Sequence, residues 1–107
     1  MLKVQALYMK LLPRIGSAIT AIGRQEPDLA RQLRRASSSV AMNLAEGYGS
    51  TKGSRTARFE SAFGSLRETR TGLAVAVALG YLPSLDPELQ DLLDQTSAMT
   101  WRLLHPR

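Results

Sequence analysis

The sequence predicts an all-α protein, an antiparallel up-and-down bundle of four helices. Apolar residues recur every three or four positions in four separate stretches, the period of one helix face. No stretch alternates like a strand, and no short repeat is present. Short links marked by Gly, Pro and Ser separate the stretches. Aromatic residues make up only 6 % of the chain while Ala and Leu are common, which favours close helix packing over a sheet sandwich. At 107 residues, positions 1–107 are expected to form one domain with a modest core.

The first helix is expected over Lys3–Gly23, with Val4, Leu7, Leu11, Ile15, Ile19 and Ile22 on its inner face. Pro13 lies inside it. Proline lacks an N–H and crowds the carbonyl four residues back, so the helix either kinks there or restarts at Pro13. Gly16, one turn on, weakens the same region. The second helix is expected from Pro27 to Gly47, with Pro27 in its first turn and Asp28 complementing the dipole. Its stretch Leu33–Gly47, "LRRASSSVAMNLAEG", is the least ordinary in the chain. Leu33, Ala36, Val40 and Leu44 form an apolar stripe, and Arg34, Arg35, Asn43 and Glu46 crowd beside it.

"YGSTKG" (Tyr48–Gly53) reads as a polar connection, with Ser54 as N-cap of a third helix running to Leu79 and Gly80 as its left-handed stop. Phe59, Ala62, Phe63, Leu66, Leu73 and Val77 make its inner stripe, which Arg70 interrupts. Gly64 and Gly72 are unfavourable inside a helix by roughly 1 kcal/mol each, which close contact with another backbone would explain. Asp86-Pro87 then supplies an N-cap and a first-turn proline for a fourth helix to Leu104, burying Leu89, Leu92, Leu93, Thr96, Met99 and Leu103.

Composition narrows the function. There is no cysteine, which excludes disulfides and thiolate metal sites. Lys3, Gln5 and Lys10 interrupt what would be a signal-peptide core, and Leu73–Leu82 is too short to span a bilayer. A cytoplasmic protein with no membrane partner is expected. The net charge of +5 is uneven: residues 1–70 carry twelve Lys/Arg against five Asp/Glu, residues 71–107 two against four. Such a balance suits a polyanion or an acidic partner protein.

Arg31, Arg34 and Arg35, with Lys52, Arg55 and Arg58, flank the second link, and Arg24 adds to them. They are the candidate nucleic-acid-binding residues, one basic strip for phosphate contact, with Tyr48 as a base-stacking or interface residue. Asn43, Glu46, Glu68 and Arg70 are the candidate structural polar network. Glu46 and Glu68 are expected to pair with Arg35, Arg58 or Arg70. If such a pair is buried, removing Glu46 strands an arginine at a cost of ~3–5 kcal/mol. A di-iron site needs more carboxylates and a Glu-x-x-His pairing, whereas the single histidine, His105, lies in the tail. Gly47, Gly49 and Gly53 lack the Lys-Ser/Thr of a phosphate loop, and Ser37–Ser39 lack a placed base. Trp101 with Met99 reads as core packing or a subunit contact. No catalytic residue, metal or cofactor is expected.

Three blocks carry a resemblance. "RQLRRASSSVAMNLAEGYGS" (Arg31–Ser50), Gly53-Ser54-Arg55 with Arg58-Phe59, and "AFGSLRET" (Ala62–Thr69), followed by Gly80-Tyr81-Leu82, keep the order and spacing of the four helix bundle protein family. That family includes proteins encoded in intervening sequences of bacterial 23S ribosomal RNA genes and the accessory variability determinant of diversity-generating retroelements. Asn43–Gly47 and Gly64–Glu68 are together its more specific elements. The resemblance implies a homopentameric ring of antiparallel bundles without catalysis. For the retroelement members it implies a basic barrel that binds RNA or DNA and a reverse transcriptase. The chain departs from the family in lacking an aromatic start to its first helix and in having Pro13. A second function is an oligomeric scaffold or adaptor acting through protein–protein contacts alone.

Overall fold

The computed structural model describes residues 1–106, and these form four helices: α1 (Lys3–Gly23), α2 (Pro27–Tyr48), α3 (Lys52–Ala78) and α4 (Pro87–Leu104). No strand occurs among the described residues. Each helix packs on two others, α1 on α2 and α4, and α3 on α2 and α4, with the α2–α3 interface the most extensive. Contacts between neighbours run antiparallel. Leu33 meets Gly72 while Phe59 meets Gly47. Arg14 reaches Asp86 while Leu2 and Val4 share a groove with Met99 and Leu103. At 1.5 Å per residue the 27 residues of α3 span about 40 Å, the length of the 42 Å long axis. The first two turns of α3, residues 52–58, are exposed, so the α2–α3 hairpin projects beyond α1 and α4.

Local chemistry sets the boundaries. α1 runs unbroken through Pro13, so it does not restart there. Pro13 is exposed, as is Met9, whose carbonyl loses its partner on the solvent side. α2 begins with Pro27 in its first turn, and the Glu26 carboxylate accepts the Asp28 N–H at 3.3 Å. It ends at Tyr48, one residue beyond the expected stop. Ser54 is not the cap of α3. The helix starts two residues earlier, after Thr51, because the link is only three residues long and Lys52-Gly53 already wind into the first turn. α3 ends in a Schellman motif: Tyr81 N–H donates to the Ala76 carbonyl at 2.8 Å and Gly80 N–H to that of Val77 at 3.1 Å. Gly80 takes the required left-handed φ of +82°. Asp86 caps α4 through the Glu88 N–H, with Pro87 at the first helical position.

The core unites Leu11, Ile15, Ile22, Leu33, Val40, Leu44, Leu66, Leu73 and Leu93 with smaller neighbours. It differs from the predicted stripes at several positions. Leu7 is only half-buried, and Tyr8 takes the inner face, fully buried. Its phenol can enter because the Oη donates to the Ser37 carbonyl on α2 at 2.8 Å. Phe63, Val77, Leu92, Met99 and Leu103 are half-buried, while Thr69, Ala76 and Thr100 lie inside. Buried Thr69, Thr96 and Thr100 each donate to the carbonyl four residues back at 2.8 Å, so no hydroxyl is stranded.

Two measurements test this core. Burial pushes the Tyr8 pKa up, opposed in part by the Thr69 hydroxyl. The unfolded chain therefore releases this proton near pH 10, while the folded chain still holds it. Stability should fall as pH rises above about 10, and Tyr8→Phe should remove that part of the fall while lowering neutral-pH stability by about 1 kcal/mol. Urea titrations of both proteins at pH 7 and 11 measure this. A Cβ on Gly47 would lie 2.5 Å from the Phe59 ring. Gly47→Ala should thus lower stability by about 1–2 kcal/mol despite alanine's better helix propensity. An unchanged urea midpoint would mean that the ring moves aside freely.

Candidate nucleic-acid interface

The seven candidate cations fall into two groups rather than one strip. Arg31, Arg34 and Arg35 are exposed on the first half of α2, near Arg24 in the α1–α2 link. Lys52, Arg55 and Arg58 lie at the hairpin tip. From Arg35 to Tyr48 is thirteen residues of helix, about 20 Å, so the two groups are well separated.

Their partners differ as well. Arg55 closes the end of α2: its Nε donates to the Gly47 carbonyl and its Nη2 to that of Tyr48, both at 3.2 Å. The Gly47 carbonyl also accepts the Ser50 N–H at 3.2 Å, and both carbonyls lie in the last turn of α2, where a cation suits the negative end of the dipole. Arg58 pairs with Glu46 at 2.8 Å, and Arg31 pairs with Asp28 one turn back. Arg24, Arg34, Arg35 and Lys52 make no ion pair among the described residues. Neither do the exposed cations Lys3, Lys10 and Arg102, which lie outside the motif blocks, nor Arg67, which lies within Ala62–Thr69; none of the four is among the sequence candidates.

The acidic final third of the chain is engaged internally. Arg14 on α1 donates to Asp86 at 3.0 Å and lies 3.3 Å from Glu88. Arg70 on α3 binds Asp94, and its Nη1 also donates to Ser97 Oγ at 2.7 Å and toward the Leu93 carbonyl at 3.4 Å. Arg70 therefore belongs to the α3–α4 seam and not to a network with Glu46 or Glu68. Glu46 finds Arg58, one of its expected partners. Glu68 is exposed and makes no ion pair among the described residues. Phe59 lies opposite Gly47, so Glu68 sits nine residues further along α3, roughly 13 Å from the Glu46 end. The two carboxylates do not form a pair. Asn43 Nδ2 donates to the Ser39 carbonyl and Oγ, both at 3.0 Å, and Ser65 Oγ donates to Ser39 Oγ at 2.9 Å. That chain ties α2 to α3.

The other candidates resolve similarly. The hydroxyls of Ser37 and Ser38 donate to the Arg34 carbonyl at 3.3 and 2.7 Å, and Ser39 belongs to the Asn43 chain. Trp101 is not in the core: it is 49 % exposed and stacks on His105, with ring centres 3.9 Å apart. Tyr48 is 50 % exposed at the hairpin tip beside Lys52. No group of three or more His, Asp or Glu that could hold a metal occurs among the described residues. Among the described residues no helix is long and apolar enough to cross a membrane. The arrangement offers cations to a phosphate backbone without an exposed aromatic among the α2 arginines.

The family model described as 23S rRNA-intervening sequence protein matches residues 2–102. No curated protein matches the chain, and no solved structure does.

The ion pairs rank by burial. The Arg58–Glu46 side chains are 51 % and 46 % exposed, so Glu46→Ala should change stability by less than about 1 kcal/mol, not by the cost of a buried pair. Arg70 is less exposed and makes three polar contacts, so Arg70→Ala should cost about 1–2 kcal/mol. Chemical denaturation of the two variants beside the parent tests this order.

Proposed function

The chain belongs to the 23S rRNA-intervening sequence protein family, whose model spans residues 2–102, and from that premise we propose that it is a non-enzymatic, cytoplasmic nucleic-acid-binding bundle working as a homopentameric ring. The reading rests above all on one observation. Arg24, Arg34 and Arg35 are exposed near one end of the bundle with no carboxylate partner among the described residues. Guanidinium groups in that state attract phosphate oxygens and release counterions on binding. Arg31 adds to them, since a largely exposed pair with Asp28 is readily exchanged for a phosphate. Lys52 forms a second contact at the hairpin tip, where Arg55 and Arg58 act chiefly in holding the hairpin. Binding is to the backbone of RNA or DNA and independent of sequence. In the retroelement branch of the family this would serve a reverse transcriptase.

A second reading, an oligomeric adaptor acting through protein contacts, draws support from the exposed apolar side chains of Met42, Leu79 and Trp101.

Fluorescence anisotropy with a labelled RNA and a DNA of the same sequence separates the two. Affinity should fall steeply between 50 and 200 mM salt. Replacing both Arg34 and Arg35 by Ala should weaken binding and flatten the slope of log K against log salt by about 2 for each subunit engaged. Arg58→Ala should have a smaller effect. Absence of binding at 50 mM salt would overturn the nucleic-acid reading in favour of the adaptor. Native mass spectrometry should find a species of five 11.7 kDa protomers, and a monomer would overturn the ring.

A further inference from the structure

At the end of the bundle where α1 begins and α4 finishes lies an open groove of about 410 Å³, lined by Leu2, Lys3, Val4, Met99, Arg102 and Leu103. Its floor is apolar. Among the described residues its charged groups are the Lys3 ammonium and the Arg102 guanidinium, both exposed and neither in an ion pair with another described residue. No carboxylate among the described residues lines it, and the first turn of α1 contains none that would oppose an anion at the positive end of that helix.

We propose that this groove docks a short segment of a partner protein in which acidic residues flank large apolar side chains. The floor takes the apolar anchors, as a helix or strand seats its side chains between two helices, and Lys3 and Arg102 take the flanking carboxylates. Three considerations choose this occupant. The backbone contact proposed above offers phosphates and sugars, with little apolar surface to cover a floor of Leu, Val and Met. A free small ligand is usually enclosed over most of its surface, which an open groove between two helix ends does not do. A second copy is a poor match: its segment with acids among leucines, Leu85–Leu93, already binds Arg14 through Asp86 and Glu88 and buries Leu89 and Leu93. The site lies apart from the arginines of α2, so one protomer can hold a phosphate backbone and a protein partner together.

A random twelve-residue peptide library displayed on phage, panned on the protein and counter-selected on the double variant Lys3→Glu, Arg102→Glu, tests the assignment. Circular dichroism and urea titration first establish that the variant is folded, and Met99→Asp, which alters the floor and keeps the rim, serves as an independent second variant. Enriched peptides should carry Asp or Glu beside Leu, Met or Phe. By fluorescence polarisation they should bind the parent at least tenfold more tightly than either variant, and RNA affinity of Met99→Asp should stay at the parental value. No enrichment, peptides without acidic residues, or equal binding to the parent and the variants would overturn the proposal. A fall in oligomer mass in the double variant would assign the groove to a second copy and overturn it too. Loss of RNA binding by the Arg34, Arg35 variant leaves peptide binding unaffected, so the two readings fail separately.

Discussion

Two side chains seated where a Cβ is missing set how α2 lies on α3, and the rest of the bundle is built around that seam. Phe59 packs on Gly47 and Leu33 packs on Gly72, close enough that an added Cβ would come within 2.5 Å of each. The contacts lie near opposite ends of the interface. A slide by one turn would bring a full side chain under both Phe59 and Leu33. Between them, the Ser65–Ser39–Asn43 hydrogen bonds fix the middle. This explains why so much of the distinctive sequence concerns two helices. The glycine at the end of "NLAEG" and Ser39 of "ASSSVAMN" serve close approach to α3, and Gly72 serves it from the other side. Gly64 differs, because a Cβ there would meet nothing in its own protomer.

α4 is attached in another manner. Its fully buried side chains are two leucines and two threonines, a narrow apolar seam for an 18-residue helix. Two arginines supplement it, Arg14 at the cap and Arg70 midway, drawing on Asp86, Glu88 and Asp94. The acidic third of the chain is thus largely a fastening for the fourth helix. What remains outside is a surplus of positive charge on the first three helices and at the α1–α4 end. Net charge alone would predict a basic surface; the ion pairs determine which cations remain available on it.

Much of the fold is legible in the sequence because its signals are local. Pro27, Gly80 and Asp86-Pro87 punctuate the chain where helices start and stop, and the stripes identify most of the core. The misses come from contacts between elements. Tyr8 resembles a flank residue beside Leu7 until the Ser37 carbonyl on another helix gives its hydroxyl a partner. Ser54 has the chemistry of a cap, but a three-residue link leaves no room to delay α3 that far. The candidate site was less legible for the same reason. Arg55 reads as a free cation in a basic segment, yet the tight hairpin sets it against the last carbonyls of α2; for Arg58 the sequence offers both a phosphate contact and Glu46, and the hairpin selects Glu46. Arg70 and Asp94 lie 24 residues apart, so their pairing depends on the α3–α4 register, to which spacing along the chain is blind.

The division of the cations bears on why the protein would function as an assembly. Charges on one surface act together over about a Debye length, 8–10 Å at ordinary ionic strength. The α2 arginines and the hairpin tip are about twice that far apart, so in a single protomer they are two weak patches rather than one field. Counterion release grows with the number of phosphates neutralised, and three or four arginines give only modest, salt-labile affinity. Repeating the protomer about an axis multiplies each patch without changing a residue, and linked weak contacts gain affinity from their high local concentration. Under the proposed function, a small bundle with a dispersed positive surface would become an effective binder of a long polyanion only as a ring, and the oligomer would then be part of the binding mechanism.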